Sequence, residues 1–183
     1  MANQPLVRLS KLLSLMLRHQ PGKFGLVLDA EGYAPLEEVV RAVQAELDGI
    51  GRADLIAVVE TVEPDKRRFS IVDGDIRANY GHSLEARIEH QQVEPPELLC
   101  HGTHEAAVPI VLREGLAPMK RQYVHLTSDR GLAARVGARR GTPVLLEVAA
   151  GAAHRDGIRF YRANESFWLA DAVPARYLKP APR

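Results

Sequence analysis

The sequence is poor in cysteine and contains no long hydrophobic run. Its one cysteine, Cys100, cannot form an intramolecular disulfide, and no four-ligand zinc pattern is present, which excludes a disulfide framework and a zinc finger. No stretch approaches the roughly 18 consecutive apolar residues of a transmembrane helix, and residues 1–10 lack the features of a secretory signal. The 183 residues are 46% hydrophobic and 26% charged, which is ordinary for a globular protein. We therefore expect a soluble, cytoplasmic protein.

Positive charge is concentrated in the second half of the chain. Residues 1–96 carry 11 Lys and Arg against 15 Asp and Glu, a net charge of −4, whereas residues 97–183 carry 13 against 8, a net charge of +5. Arginine supplies most of this excess, since Lys120 and Lys179 are the only lysines after residue 97. The planar guanidinium suits phosphate. The excess therefore indicates either an anionic ligand near the second half or a biased coding composition.

The first 94 residues have the pattern of three helices followed by a β-hairpin. A first helix is indicated by apolar residues at helical spacing, namely Leu9, Leu12, Leu13, Met16 and Leu17. It should end at residues 18–20, because Pro21 disfavours helix in the residue before it. We also predict helices over residues 36–43 and 53–62 and strands over 66–72 and 76–78, the strands being separated by a tight turn at 73–75. This order favours a winged-helix-like lobe over residues 1–94.

A polar stretch at residues 89–97, with Pro95 and Pro96, predicts a boundary between domains. Beyond it we expect short strands at residues 98–100, 123–126, 144–148, 160–161 and 167–169. Helices are predicted from Pro109 to Gly115 and from the residue after Asp129 to Gly137. Residues 95–183 should therefore form a second lobe with a mostly antiparallel sheet, and the whole chain belongs to the α+β class.

Several arginines and one histidine stand where a ligand could approach. Arg18 and His19 lie at the predicted end of the first helix, where they either complement the helix dipole or bind a phosphate together. The cations at residues 66–68 either bind an anion or protect a strand edge. Arg139 and Arg140 stand between Gly137 and Gly141, in either a ligand-binding turn or a surface loop.

A second group of candidates follows the predicted strand at residues 98–100. His101, Gly102 and Thr103 come directly after it, and the glycine would let a ligand lie against the backbone while the other two side chains supply hydrogen bonds. His125 is polar within an apolar strand, where a histidine is more often a hydrogen-bonded core residue than a ligand contact. Each of these signals is weak alone.

The order of the motifs is specific. From about Leu9 to Leu178, the chain resembles the NAD-dependent RNA 2′-phosphotransferase family, which removes an internal 2′-phosphate from spliced tRNA. In the first half the resemblance rests on residues 9–11, 17–19, Pro21, 25–26, 28–29, Gly32, 66–69 and 76–83. In the second half it rests on residues 101–103, 115–116, Met119, 124–127, 136–139, Gly141, 143–144, Gly157, 160–161, 168–169 and 173–174.

The resemblance implies a winged-helix lobe that holds the RNA phosphate and an ADP-ribosyltransferase-like lobe that holds NAD, with the reaction between them. The implied catalytic tetrad is Arg18, His19, Arg68 and Arg139, with Arg67 as the competitor for the third position. The implied NAD contacts are His101, Gly102, Thr103, His125 and Thr127. No metal is implied, and we expect a monomer.

The implied reaction has two steps. The 2′-phosphate first attacks the ribosyl carbon of NAD and expels nicotinamide. The 2″-hydroxyl of ADP-ribose then attacks phosphorus, which releases ADP-ribose 1″,2″-cyclic phosphate and RNA with a 2′-hydroxyl. Two alternatives stay open: an enzyme that ADP-ribosylates terminal phosphates of RNA or DNA, and a winged-helix nucleic-acid binder without catalytic activity.

The chain departs from the family pattern at three places. Tyr80 stands where the family usually has Gln, Arg140 where it has His, and residues 165–167 where it has Asn-Gly-Val. Phe167 occupies the position at which related ADP-ribosyltransferases carry a catalytic glutamate. Because alternate residues of a strand face the same side, Glu165 and Phe167 should share a face, and some participation of Glu165 is an open interpretation.

Overall fold

The computed structural model describes residues 4–60 and 67–182, and the chain divides into two compact units, Met1–Glu89 and His90–Arg183. Every strand pairing within each three-stranded sheet is antiparallel. Helices and antiparallel sheets occur together in both units, which confirms the α+β class. In the part of the chain that the structure describes, no helix is long and apolar enough to cross a membrane.

Within its described residues, 4–60 and 67–89, the first unit contains three α-helices and one three-stranded sheet. The helices are α1 (Gln4–Arg18), α2 (Leu36–Gln44) and α3 (Arg52–Val59), and the strands are β1 (Tyr33–Pro35), β2 (Phe69–Val72) and β3 (Asp75–Ala78). The strand order is β1-β3-β2. The β2–β3 turn has positive φ angles at Asp73 and Gly74, as a two-residue hairpin turn requires, so the predicted hairpin is confirmed.

The core of this unit forms where α1 meets the other helices and the sheet. The predicted apolar face is buried, since Leu9, Leu13, Met16 and Leu17 are fully inaccessible to solvent. They pack with buried residues of α2, α3, β2 and β3, including Val39, Leu55, Phe69 and Ile76. Helix α1 ends at Arg18, as predicted, but begins one turn earlier than its apolar pattern indicates. The last turn of α1 is therefore held in place by the packed core of the unit.

The second unit contains two three-stranded sheets and three helices. Its strands are β4 (Leu99–His104), β5 (Val124–Leu126), β6 (Pro143–Val148), β7 (Phe160–Arg162), β8 (Trp168–Ala170) and β9 (Leu178–Pro180). Its helices are α4 (Val108–Glu114), α5 (Arg130–Gly137) and α6 (Ala150–Arg155). The sheets have the orders β4-β6-β9 and β5-β8-β7. Reciprocal backbone hydrogen bonds of 2.7 and 3.0 Å between Cys100 and Thr127 join the two sheets.

Helix α5 approaches strand β4 more closely than side chains would allow. A Cβ atom built on Gly102 would lie 1.7 Å from the carbonyl oxygen of Ala133, and one built on Gly137 would lie 2.5 Å from that of Thr103. Glycine at both positions therefore lets the backbones of the helix and the strand touch. This contact fixes the residues at the end of α5 relative to β4.

Two expectations were wrong. His101, Gly102 and Thr103 lie within β4 rather than after a strand, because the ladder with β6 continues from Leu99 to His104. Glu165 and Phe167 do not share a face: Glu165 is exposed, whereas Phe167 is buried. They precede β8, in a turn where the Asn164 side chain accepts hydrogen bonds from the N–H groups of residues 166 and 167, so strand alternation does not apply there.

The remaining element boundaries differ by only a few residues. Helix α3 ends at Val59, before the predicted residue 62. The predicted strand residue Lys66 and helix residues 61–62 lie outside the described part of the chain. Strand β1, helix α6 and strand β9 were not predicted, because their sequences are short and carry no clear periodicity.

Candidate active site

Arg18 is held at the end of α1 by two aromatic rings and a backbone carbonyl. Its guanidinium carbon lies 5.0 Å from the ring centre of Tyr80 and 5.6 Å from that of Phe69. Its Nη2 donates a hydrogen bond to the carbonyl of Arg68 at 3.4 Å. The side chain is half-buried, so the helix end and the sheet restrict its orientation. A restrained guanidinium presents its remaining N–H groups in a fixed geometry.

His19 is exposed and bonded to a residue 64 positions further along the chain. Its Nδ1 lies 2.8 Å from the hydroxyl oxygen of Ser83. The N–H of Ser83 also donates to the carbonyl of Arg18 at 3.0 Å, which satisfies one carbonyl at the end of α1. The loop after β3 reaches this position through Gly81, whose φ is +88°. Ser83 therefore contacts both of the neighbouring candidate residues.

The backbone of Arg67 and Arg68 is anchored by the buried side chain of Asn79. The Asn79 N–H donates to the carbonyl of Arg68 at 2.9 Å, and its Nδ2 donates to that of Arg67 at 3.4 Å. Its Oδ1 accepts a hydrogen bond from the Ser70 hydroxyl at 2.7 Å. These hydrogen bonds hold the backbone just before β2, and both arginine side chains are exposed. Arg67 borders a shallow groove with Val59 of α3.

The first unit thus brings three predicted catalytic residues to one corner. Arg18 and His19 end α1, while Arg68 precedes β2 and accepts a hydrogen bond from Arg18 through its carbonyl. The loop after β3, through Tyr80 and Ser83, covers the same corner. Cationic and imidazole N–H donors close together can bind the oxygens of a phosphate.

In the second unit, His101 and His125 lie on strands β4 and β5 and are linked to each other. His101 Nδ1 lies 3.0 Å from the backbone carbonyl oxygen of His125. Because a carbonyl only accepts, Nδ1 must carry the proton. Burial lowers the pKa of His101, although the hydrogen bond to the carbonyl opposes this effect. A neutral ring with its proton on Nδ1 has an accepting Nε2, which can receive a hydrogen bond from a hydroxyl group.

The other three predicted NAD contacts have structural partners. The side-chain side of Gly102 is occupied by the backbone of α5, and Thr103 is buried beside Gly137 of that helix. The Thr127 hydroxyl accepts a hydrogen bond from the N–H of Asp129 at 3.1 Å, and Asp129 in turn caps α5. These residues therefore build the junction of β4, β5 and α5.

Arg139 stands on the short helical turn Ala138–Arg140 that follows α5. The turn begins after Gly137, which packs on Thr103, and ends at Gly141, beside the side chain of His104. Arg139 is exposed. The side chain of Arg140, one of the predicted departures, lies outside the described part. The fourth predicted catalytic residue therefore belongs to the second unit, on the turn that packs against β4.

Among residues 4–60 and 67–182, no group of three or more His, Cys, Asp or Glu side chains could hold a metal ion. The predicted absence of a metal stays a prediction. Cys100, next to His101 in β4, is buried, and this burial raises the pKa of its thiol.

Residues 4–172 match the model of the "RNA 2'-phosphotransferase, Tpt1 / KptA family". This chain belongs to the RNA 2′-phosphotransferase family. A relative from Streptomyces griseus, named "Probable RNA 2'-phosphotransferase", is 46% identical over 181 residues, covering 94% of this chain and 95% of the relative. A relative with the same name from Agrobacterium fabrum is 46% identical, and the match covers 92% of this chain and 91% of the relative. Another, from Streptomyces coelicolor, is 43% identical over the full length of both chains.

Membership of the RNA 2′-phosphotransferase family identifies the chain as a transferase and confirms the resemblance inferred from its motifs. Sequence reasoning missed the partners of the candidate residues. Tyr80 was noted only as a departure, and Asn79 and Ser83 only as parts of a motif. The available signal was a row of polar residues, 79–83, directly after a predicted strand.

Proposed function

We propose that this protein removes an internal 2′-phosphate from RNA with NAD as co-substrate. Membership of the RNA 2′-phosphotransferase family supports the removal of an RNA 2′-phosphate. The observation that carries the more detailed proposal is the contact of Arg18, His19 and Arg68 at one corner of the first unit. Arg18 and His19, two side chains that suit phosphate, end α1 there, and the backbone of Arg68 reaches Arg18 although the two residues are 50 positions apart in sequence.

The first unit is the RNA-binding lobe in this proposal. Its three helices and antiparallel sheet of order β1-β3-β2 support a winged-helix arrangement. Arg18, His19 and Arg68 bind the 2′-phosphate. Arg18 is the most restrained of the three, because Tyr80, Phe69 and the Arg68 carbonyl all contact its guanidinium.

The second unit is the NAD-binding, ADP-ribosyltransferase-like lobe. The neutral ring of His101, with its proton on Nδ1, suits a ribose hydroxyl as hydrogen-bond donor to Nε2. The other proposed NAD contacts are His125 on β5, Thr127 directly after that strand, and Gly102 and Thr103 on β4.

In the first step, an oxygen of the RNA 2′-phosphate forms a bond to the ribosyl carbon while the bond to nicotinamide breaks. Nicotinamide leaves with the electron pair of that bond as a neutral molecule, so this step depends on positioning more than on acid catalysis. Arg18 and Arg68 hold the phosphate for the attack.

In the second step, the 2″-hydroxyl oxygen of ADP-ribose forms a bond to phosphorus while the bond from phosphorus to the RNA 2′-oxygen breaks. The attacking hydroxyl gives up one proton and the departing RNA oxygen gains one, so the step neither consumes nor releases a proton overall. Negative charge grows on the phosphoryl oxygens, where Arg18, Arg68 and Arg139 stabilise it. His19 binds the phosphate or delivers the proton to the leaving oxygen.

The test is a single-turnover reaction with NAD and a short RNA that bears one internal 2′-phosphate. His19→Ala and Arg139→Ala should slow the second step by about 10²–10³-fold, so ADP-ribosylated RNA accumulates. Arg113→Ala is the matched control, because this exposed arginine forms a surface ion pair with the adjacent Glu114.

Wild-type rates without an intermediate in either variant would contradict the assigned roles. A wild-type protein that consumes NAD, transfers ADP-ribose to an RNA terminal phosphate and stops would support the terminal-phosphate enzyme instead. Binding of RNA without release of nicotinamide would support the non-catalytic binder.

A further inference from the structure

The hydroxyl of Ser83 sits at the ring of His19, in a position that the proposed reaction does not use. The two atoms, Ser83 Oγ and His19 Nδ1, are 2.8 Å apart, which is a normal hydrogen-bond length. Both side chains are exposed, so burial does not hold the imidazole in place.

The backbone of Ser83 is fixed independently of its side chain. Its N–H donates to the carbonyl of Arg18 at 3.0 Å, directly beside His19 in sequence. The preceding His82 is 2% exposed and its ring lies against Gly32, which anchors the loop to the body of the unit. The backbone that bears the Ser83 hydroxyl is therefore held by other contacts, and removal of the hydroxyl should leave this backbone in place.

We propose that Ser83 is a positioning residue that orients the His19 imidazole for the second step of the reaction. This inference rests on the proposed function. A hydroxyl can either donate to or accept from Nδ1, so Ser83 retains its contact with the neutral and the protonated ring. With Nδ1 committed to Ser83, the contact with the phosphate or the leaving oxygen falls to Nε2.

The variants Ser83→Ala and Ser83→Thr separate orientation from folding. The alanine removes the hydroxyl and keeps the backbone hydrogen bond, whereas the threonine keeps both. Ser14→Ala is the matched control, since the Ser14 hydroxyl donates its hydrogen bond within α1, to the carbonyl of Ser10 at 2.9 Å.

Single-turnover rates for both steps are measured with NAD and RNA bearing an internal 2′-phosphate. We expect Ser83→Ala to slow the second step about five- to tenfold, as loss of one orienting hydrogen bond implies, while the first step stays within about twofold of wild type. Threonine should restore the second step. Equal slowing of both steps in the alanine and threonine variants, or wild-type rates in the alanine variant, would overturn the inference.

A second measurement is independent of catalysis. Nitrogen-15 NMR of the histidine rings reports the hydrogen bonding of each ring nitrogen, and the His19 signals are identified by their absence in His19→Gln. Ser83→Ala should shift the Nδ1 signal of His19, while Ser14→Ala should not. An unchanged Nδ1 signal overturns the inference. A wild-type protein that leaves the RNA and NAD unchanged while the Nδ1 signal does shift refutes the proposed function rather than the Ser83–His19 contact.

Discussion

The substitution Gly102→Ala distinguishes two roles of this glycine, helix packing and ligand contact. The added Cβ would lie 1.7 Å from the Ala133 carbonyl oxygen and 2.5 Å from its carbon. Since real Cβ contacts are essentially never shorter than 3.0 Å, α5 and β4 must separate by about 1.3 Å. A backbone carbonyl within a helix cannot rotate away as a flexible side chain does.

The expected cost is at the upper end of the range for overpacking, about 3 kcal/mol. For a unit of the size of His90–Arg183, such a loss lowers the melting temperature by about 12–24 °C. Differential scanning calorimetry measures this change. Gly22→Ala is the control: its Cβ would have no atom within 4 Å and its φ is not in the left-handed region, so its melting temperature should not fall and should rise by about 2–8 °C.

The same variant is assayed for its KM for NAD at a temperature where it is folded. If Gly102 serves chiefly to admit a ligand to the backbone, Gly102→Ala will melt like wild type and show a raised KM. That result would refute the packing argument. A large loss of stability would support it.

Two further predictions concern Arg68 and His101. Arg68→Ala should slow the second step by about 10²–10³-fold, whereas Arg67→Ala, at a residue that borders the groove beside Val59, should change it by less than about threefold; equal losses in single-turnover assays would contradict the choice of Arg68. The lowered pKa of His101 means that the unfolded chain binds more protons than the folded one below about pH 6.5. The second unit should therefore lose stability as the pH falls through that value, and His101→Gln should reduce this loss in melting curves at about pH 5 and 7.5.

The sequence predicted the elements that are determined by residues close together in the chain. The apolar spacing of α1 needed only residues 9–17, and the β2–β3 turn needed only Asp73 and Gly74. Strand β4 was cut short because His101, Gly102 and Thr103 lack apolar alternation, while the strand is defined by its ladder with β6, about 40 residues away. Pairing over such a distance leaves no mark in a short window of sequence.

The candidate site likewise has features that the sequence predicted and features that it did not. The order of motifs along the chain identified the candidate residues, but not the atoms that hold them. The contact of His19 with Ser83 spans 64 positions of sequence. The contact of Arg18 with Tyr80 depends on the position of the loop that follows β3. Tyr80 stood out only as a departure from the usual glutamine. In the structure its ring packs on the guanidinium of Arg18, so the substitution supplies a cation–π contact to a proposed catalytic residue.

The most direct test of the central claim is the reaction of the wild-type protein with NAD and an RNA that bears one internal 2′-phosphate, with all products identified by mass. We expect RNA with a 2′-hydroxyl together with equal amounts of nicotinamide and ADP-ribose 1″,2″-cyclic phosphate. RNA that keeps its phosphate while NAD stays intact would contradict the account.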